Sequence, residues 1–234
     1  MTLTTPASPA TLSTVAAADA ILLDFNGTLS DDELLLAELV AEIAADELGV
    51  RVSHERYFAE FAGFTEEYMF GILAAEAGMD APDPDRLMHR FNERYLERTA
   101  EHSTITPAAR GFVRAAQRAG KRLAVVTAAS RDTVVPALRQ AGLLDAFDAI
   151  VALEDVAASK PAPDCYLRAL TELGVSAERA VAFEDSRTGI AAATGAQIET
   201  IAVLGSLDEG AAGALTPHVV PGLAAELLPG SATE

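Results

Sequence analysis

The chain has 234 residues, 50% hydrophobic and 22% charged, a composition that belongs to a folded soluble domain rather than a disordered segment. Seventeen Lys+Arg against 35 Asp+Glu leave a net charge of −18, which repels a nucleic-acid backbone and an anionic membrane surface alike and argues against both as partners. A lone cysteine, Cys165, closes no internal disulfide, no apolar run approaches the roughly 20 residues of a membrane helix, and Met1 to Ala20 lack the features of a signal peptide, so a reducing cytoplasm is the expected setting.

Residues 2–14 are mostly Thr, Ser, Pro and Ala without apolar periodicity, which predicts a mobile tail over residues 1–17. From Ala20 to Phe25 a compact apolar run stops at Asn26-Gly27, as a buried strand ending in a turn would. Ser30 and Glu33 have the spacing of a capping box ahead of the stripe Leu35, Leu36, Leu39, Val40 and Ile43, which closes at Gly49. Further helices are expected over 53–61, over 65–77 with Thr65 as cap, and over 84–100 with Pro84 in the first turn, and no strand interrupts them. Along the last, Arg86, Arg90, Arg94 and Arg98 recur at four-residue spacing, with Glu93, Glu97 and Glu101 placed to neutralise them on one solvated face.

After Thr106-Pro107 short apolar runs (123–126, 149–153, 180–183 and 200–204) alternate with amphipathic helices (131–141, 164–173 and 187–194). That alternation predicts an α/β fold, a Rossmann-like parallel sheet with helices on both faces. Because the first strand joins the same sheet, residues 31–103 form a small inserted α-helical unit in a core made of 18–30 and 104–234. Ligands of such a sheet sit beyond the carboxyl ends of its strands, where Asp24, Thr127, Lys160 and the pair Glu184-Asp185 fall.

The fragments Asp24-Phe25-Asn26-Gly27-Thr28, Val126-Thr127-Ala128-Ala129, Ser159-Lys160-Pro161 and Phe183-Glu184-Asp185-Ser186 stand in that order along the chain. Together they resemble the four motifs of the haloacid dehalogenase superfamily of phosphotransferases over residues 20–203, and the insertion resembles the helical cap of its beta-phosphoglucomutase and phosphoglycolate phosphatase branch. The resemblance implies phosphoryl transfer from a small phosphorylated metabolite through an aspartyl phosphate on Asp24. It implies a magnesium ion on Asp24, the main-chain carbonyl of Asn26 and Asp185, with Glu184 bound directly or through water. Gly27, Thr28, Thr127, Ala128 and Lys160 would surround the phosphate, with Lys160 and Thr127 steadying its charge.

Most phosphatases and phosphomutases of this superfamily carry a second aspartate two residues after the nucleophile, which protonates the leaving oxygen and then activates water. This chain has Asn26 there. An amide exchanges no proton near neutral pH, and general acid–base catalysis is worth about 10²–10⁴-fold, so slow turnover is expected. A sugar phosphomutase and a phosphometabolite sensor without turnover remain as alternatives. The phosphonate-cleaving branch needs a cap lysine, and residues 31–103 contain none. His54, His89, His102 and His218 show no metal-ligand spacing and are expected at the surface, and Cys165 is expected to pack.

Overall fold

Ala20, Ile21, Leu22 and Leu23 are apolar in an unbroken run, and all four are fully buried, as a strand covered on both faces requires. They form β1 (Ala20–Leu23) in the middle of a six-stranded parallel sheet in a computed structural model that describes residues 7–79 and 83–229. The other strands are β2 (Arg122–Val126), β3 (Ala149–Val151), β4 (Ala180–Glu184), β5 (Glu199–Val203) and β6 (Val219–Val220), in the order β3-β2-β1-β4-β5-β6. Alternation along β1 divides the core. Ile21 and Leu23 pack with Phe112 of α6 (Pro107–Arg118) and Leu138 of α7 (Arg131–Gln140). Ala20 and Leu22 pack on the opposite face with Tyr166 of α8 (Asp164–Leu173) and Ala192 of α9 (Arg187–Gly195). The Rossmann-like sheet with helices on both faces is thus the fold that forms.

Residues 9–17 do not form the expected tail. They make α1 (Pro9–Ala17), capped by Ser8, whose hydroxyl accepts from the Thr11 amide at 3.1 Å. Val15 is fully buried in the core, and Lys121 donates to the carbonyls of Ala16, at 2.8 Å, and Ala18 at the helix end. Only Thr11 and Val15 of this helix are buried, too few to produce an apolar period in the sequence. Residues 1–6 of the expected tail lie outside the described residues. His218, expected at the surface, is buried between the Thr11 hydroxyl at 3.1 Å and Glu199 at 3.2 Å. The two-residue β6 and the short α10 (Glu209–Gly213) were too brief to read from pattern.

Between β1 and α6 the chain makes a helical cap with its own apolar core, which includes Leu39, Tyr57, Phe61, Phe70, Phe91 and Tyr95. Its helices are α2 (Glu33–Ile43), running on through a π-helical turn (Ala44–Leu48) to Gly49, then α3 (His54–Arg56) leading into a second π-helical turn (Tyr57–Phe61), α4 (Glu66–Glu76) and α5 (Pro84–Thr99). Thr65 caps α4 as predicted, its hydroxyl accepting from the Tyr68 amide at 3.2 Å. The Ser30–Glu33 capping box does not form. Asp32 precedes the first turn, the Ser30 hydroxyl lies 2.7 Å from Asp32 Oδ2, and the Glu33 side chain lines a cavity instead.

The arginine stripe of α5 is neutralised, but chiefly across to α2 and the turn that extends it. Arg86 pairs with Glu47 at 2.7 Å, Arg90 with Glu47 at 2.6 Å and Asp46 at 3.2 Å, and Arg98 with Glu38 at 2.6 Å. Of the same-helix pairs, Arg94 reaches Glu97 at 3.8 Å. Such half-exposed pairs fix the mutual register of two helices more than they stabilise them. No helix among the described residues is long and apolar enough to cross a membrane.

Candidate active site

Where β1 ends, the Asp24 amide still donates to the Phe183 carbonyl of β4 at 3.0 Å, and the chain then turns sharply at Gly27 with φ +72°. A Cβ on Gly27 would stand 2.1 Å from Asp185 Oδ2, so only glycine lets this turn lie against the acid that follows β4. The ends of β1, β2 and β4 consequently converge. The loop after β2 is fixed by the Thr127 hydroxyl, which accepts from the Ala129 amide at 3.0 Å. Lys160 reaches over from the loop before α8.

Lys160 is buried, and each of its three donors has an acceptor: Asp24 Oδ1 at 2.6 Å, Glu184 Oε1 at 2.6 Å and the Val126 carbonyl at 3.0 Å. Burial alone would lower its pKa, but the Asp24 and Glu184 carboxylates outweigh that and hold the ammonium above the ordinary lysine range. Burial raises Asp24, with Lys160 pulling the other way. Asp185 is pushed up to about 7 by burial and then by the Asp24 charge, although the Ser206 hydroxyl donates to it at 2.5 Å. Glu184 is pushed up to about 8 by the same two causes.

Asp24, Glu184 and Asp185 each offer an oxygen within 4.8 Å of the others, three carboxylates against one ammonium. Glu184 Oε2 is buried without a hydrogen-bond partner. A buried, oxygen-only donor set short of positive charge suits a hard divalent cation, and these residues could hold one.

Asp24, Asn26, Thr127, Ala128, Lys160 and Asp185 line one cavity beneath the cap. Three of the predicted residues do not. Gly27 and Thr28 line a separate groove beside Asp31, Leu204 and Pro221, with the Gly27 amide donating to Asp32 Oδ1 at 3.3 Å, although the Thr28 side chain still bears on Asp24 and helps hold its pKa down. Glu184 is fully buried behind Lys160, where Tyr166 also donates to its Oε1 at 2.6 Å.

Glu33, Leu36, Tyr57, Phe64, Glu66 and Met69 complete the lining from the cap side, although the sequence suggests only a capping role for Glu33, an apolar-stripe position for Leu36 and an acidic cap loop around Phe64 and Glu66. Burial, then the charges of Asp185, Asp32 and Asp24, raises Glu33 well above the carboxylate range. Burial pushes Glu66 up to about 7. Asp32 lies just outside, receiving Asn26 Nδ2 at 2.9 Å and the Tyr95 hydroxyl at 2.6 Å, and burial pushes it up to about 6. The available signal was weak, since acids in a first helical turn are ordinary capping residues.

The cavity holds about 30 Å³, space for a water or two and less than any phosphomonoester needs, so the cap stands closed. Closure is fastened at Gly63, whose carbonyl accepts from the Thr188 hydroxyl at 2.6 Å. A Cβ there would lie 2.5 Å from Ser186 Cβ, on a residue with φ +83°. Gly63→Ala should therefore hold the cap ajar, lowering kcat/KM by roughly 10-fold or more while the core remains folded. Steady-state kinetics and circular dichroism check this, and unchanged kcat/KM would show that cap docking at Gly63 does not govern turnover.

A family model described as haloacid dehalogenase-like hydrolase matches residues 21–203, a span that holds all four strand-end motifs. The chain belongs to the haloacid dehalogenase-like hydrolases. Its cap is of the kind found in the beta-phosphoglucomutase and phosphoglycolate phosphatase branch. It is 35% identical over 193 residues to the chloroplastic protein Suppressor of Quenching 1 of Arabidopsis thaliana, a match that covers 81% of this chain but only 18% of that protein. It is 27% identical to hexitol phosphatase B of Escherichia coli K12 over 79% of this chain and 82% of the relative. The crystal structure of CbbY from Rhodobacter sphaeroides in complex with phosphate is similar at 31% identity and a TM-score of 0.76, with 90% of this chain and 96% of that chain covered. A mutant of CbbY has also been crystallised with xylulose-(1,5)bisphosphate.

Proposed function

We propose that the chain is a magnesium-dependent phosphohydrolase of small phosphorylated metabolites, working through an aspartyl phosphate on Asp24 and slowed by Asn26. The observation that carries this reading is the buried triad of Asp24, Lys160 and Asp185 at the convergence of β1, β2 and β4, under a cap that closes over it. Phosphoryl transfer asks mainly for positioning and charge stabilisation.

Lys160 holds the Asp24 carboxylate in place through Oδ1, and Glu184 with Tyr166 holds the ammonium from behind. With the cap shut, Leu36, Phe64 and Met69 exclude bulk water from the nucleophile. In the loop after β2 the Thr127 amide is taken by the Val151 carbonyl and the Ala129 amide by the Thr127 hydroxyl, so the Ala128 amide, at the cavity wall, is the one that would donate to the transferring oxygens. Asp24, Asp185 and the Asn26 carbonyl would hold the magnesium ion, with Glu184 in reserve. When bound, that ion supplies the positive charge that lets an anionic nucleophile approach an anionic ester. Asn26 already donates its amide to Asp32 and carries no transferable proton, so the leaving oxygen lacks the usual acid. The last point also favours a second reading, a domain that binds a phosphorylated metabolite with little turnover.

Phosphate release from a panel of phosphorylated metabolites, with magnesium and with EDTA, separates the two. Release that depends on magnesium is expected, and its absence from the parent and from Asn26→Asp alike would leave only the binding reading.

Metal binding also predicts a pH-dependent stability. Asp185 near 7 and Glu184 near 8 keep protons that the unfolded chain, with ordinary carboxylates, has lost. The metal-free fold therefore loses stability as pH rises from about 5 to about 8, and a divalent cation should restore it above all at the upper end. Thermal melts in EDTA and in magnesium at about pH 5.5 and about pH 8 read this, and a magnesium shift equal at both values would contradict it.

A further inference from the structure

The cap side of the cavity is acidic. Glu66, at the start of α4, is 7% exposed, lines the cavity, and has its Oε2 buried without a hydrogen-bond partner. Glu33, at the start of α2, lines the same space and likewise leaves Oε2 buried and unpartnered. A buried acceptor without a donor is costly, so a native fold that keeps one on each of two acids lining the same cavity is suited to donors that enter it. Among the described residues Lys160 is the sole cation in the lining, and it is already shared by Asp24 and Glu184. The remaining cap-side lining, including Leu36, Tyr57, Phe64 and Met69, carries no positive charge.

A substrate placed with its phosphate on Lys160 and the Thr127 loop would extend toward Glu66 and Glu33. We infer that the site takes monophosphates whose body presents hydrogen-bond donors, the hydroxyls of a sugar or polyol or an ammonium group, and rejects those bearing a second phosphate or a carboxylate. This rests on the proposed phosphohydrolase function and narrows it. A second anion would meet two acidic side chains with no counter-charge, whereas a hydroxyl, which donates or accepts, or an ammonium pairs with their unpartnered oxygens. Protonation does not undo the selectivity, because a neutral Glu66 still supplies no positive charge. The closed cap brings these residues over the core, as the Thr188 bond to the Gly63 carbonyl shows.

The test compares kcat/KM at about pH 8 for sorbitol 6-phosphate, phosphoethanolamine, phosphoglycolate and fructose 1,6-bisphosphate, in the parent, Glu66→Gln and Glu66→Lys. The parent should favour the best donor-bearing monophosphate over both anionic substrates by about 10²-fold or more, since a buried polar site strongly penalises a ligand that cannot pair with it. Which of the first two is preferred tells hydroxyl from ammonium. Glu66→Gln should narrow the preference and Glu66→Lys should narrow it further or invert it, and Glu66→Gln keeps volume if the lysine is not accommodated. A parent that turns over phosphoglycolate or the bisphosphate as well as the polyol phosphate, or a ratio unmoved by both substitutions, would overturn the inference.

Hydrolysis of p-nitrophenyl phosphate by the parent and by Asn26→Asp tests the phosphohydrolase reading separately, because that ester carries neither a distal donor nor a distal anion. If it is not hydrolysed, calorimetric binding of the same four compounds in magnesium keeps the selectivity decidable: tighter binding of the donor-bearing pair supports it, and equal or tighter binding of the anionic pair refutes it.

Discussion

Asp24→Asn should abolish phosphate release, by about 10⁴-fold or more, with the fold intact. The substitution keeps the volume of the side chain and the backbone bond from residue 24 to Phe183, so β1 stays in register with β4. It removes the attacking oxygen and one of three carboxylates within 4.8 Å of each other. Lys160 keeps Glu184 and the Val126 carbonyl, and with one fewer negative charge beside it Asp185 should titrate closer to an ordinary aspartate. Two measurements check this: phosphate release in magnesium and circular dichroism of the variant. Release at the parental rate from a folded variant would remove Asp24 as nucleophile, and the mechanism built on it.

Asn26→Asp should raise steady-state turnover, on the order of 10²-fold if proton transfer limits it. The surroundings of residue 26 favour that outcome. Asn26 Nδ2 now donates to Asp32 Oδ2 at 2.9 Å, and Asp32 also accepts from the Gly27 amide at 3.3 Å, from Tyr95 at 2.6 Å and from Ser30 at 2.7 Å. Two carboxylates at that distance cannot both ionise, so the pair would keep one proton into the neutral range, beyond the value near 6 that burial already imposes on Asp32. A retained proton beside the cavity is what the leaving oxygen needs. The gain should come with a falling alkaline limb in the kcat profile, as a group that must stay protonated loses its proton. Single-turnover and steady-state release from both proteins decide the matter, with peptide mass mapping to verify that Asn26 in the parent has not deamidated next to Gly27. Equal rates would mean that the leaving group needs no acid or that another residue supplies the proton.

The resemblance noted between the strand-end motifs and the haloacid dehalogenases could be read without coordinates because each motif is local. A run such as Ala20 to Leu23 reports its own burial, and a parallel sheet places the residue after each strand at the same edge, so Asp24, Thr127 and Asp185 were bound to meet. The helical insertion was legible for the same reason, its stripes having the helical period. What lay outside the sequence were the pairings between segments distant in the chain. Val15 docks on the core although its helix has no apolar stripe, Arg86 and Arg90 find Glu47 rather than acids on their own helix, and Ser30 serves Asp32 instead of a capping box.

The acids Glu33 and Glu66 are the clearest case. From sequence Glu33 reads as the far half of a capping box and Glu66 as one acid of a cap loop at the start of a helix, where carboxylates are ordinary. Only the docking of the cap, through contacts such as Gly63 on Thr188, buries them over the nucleophile and gives them a chemical task. Local period and propensity set which backbone forms, whereas the environment of a side chain depends on which distant surface closes over it, and that is decided by tertiary packing.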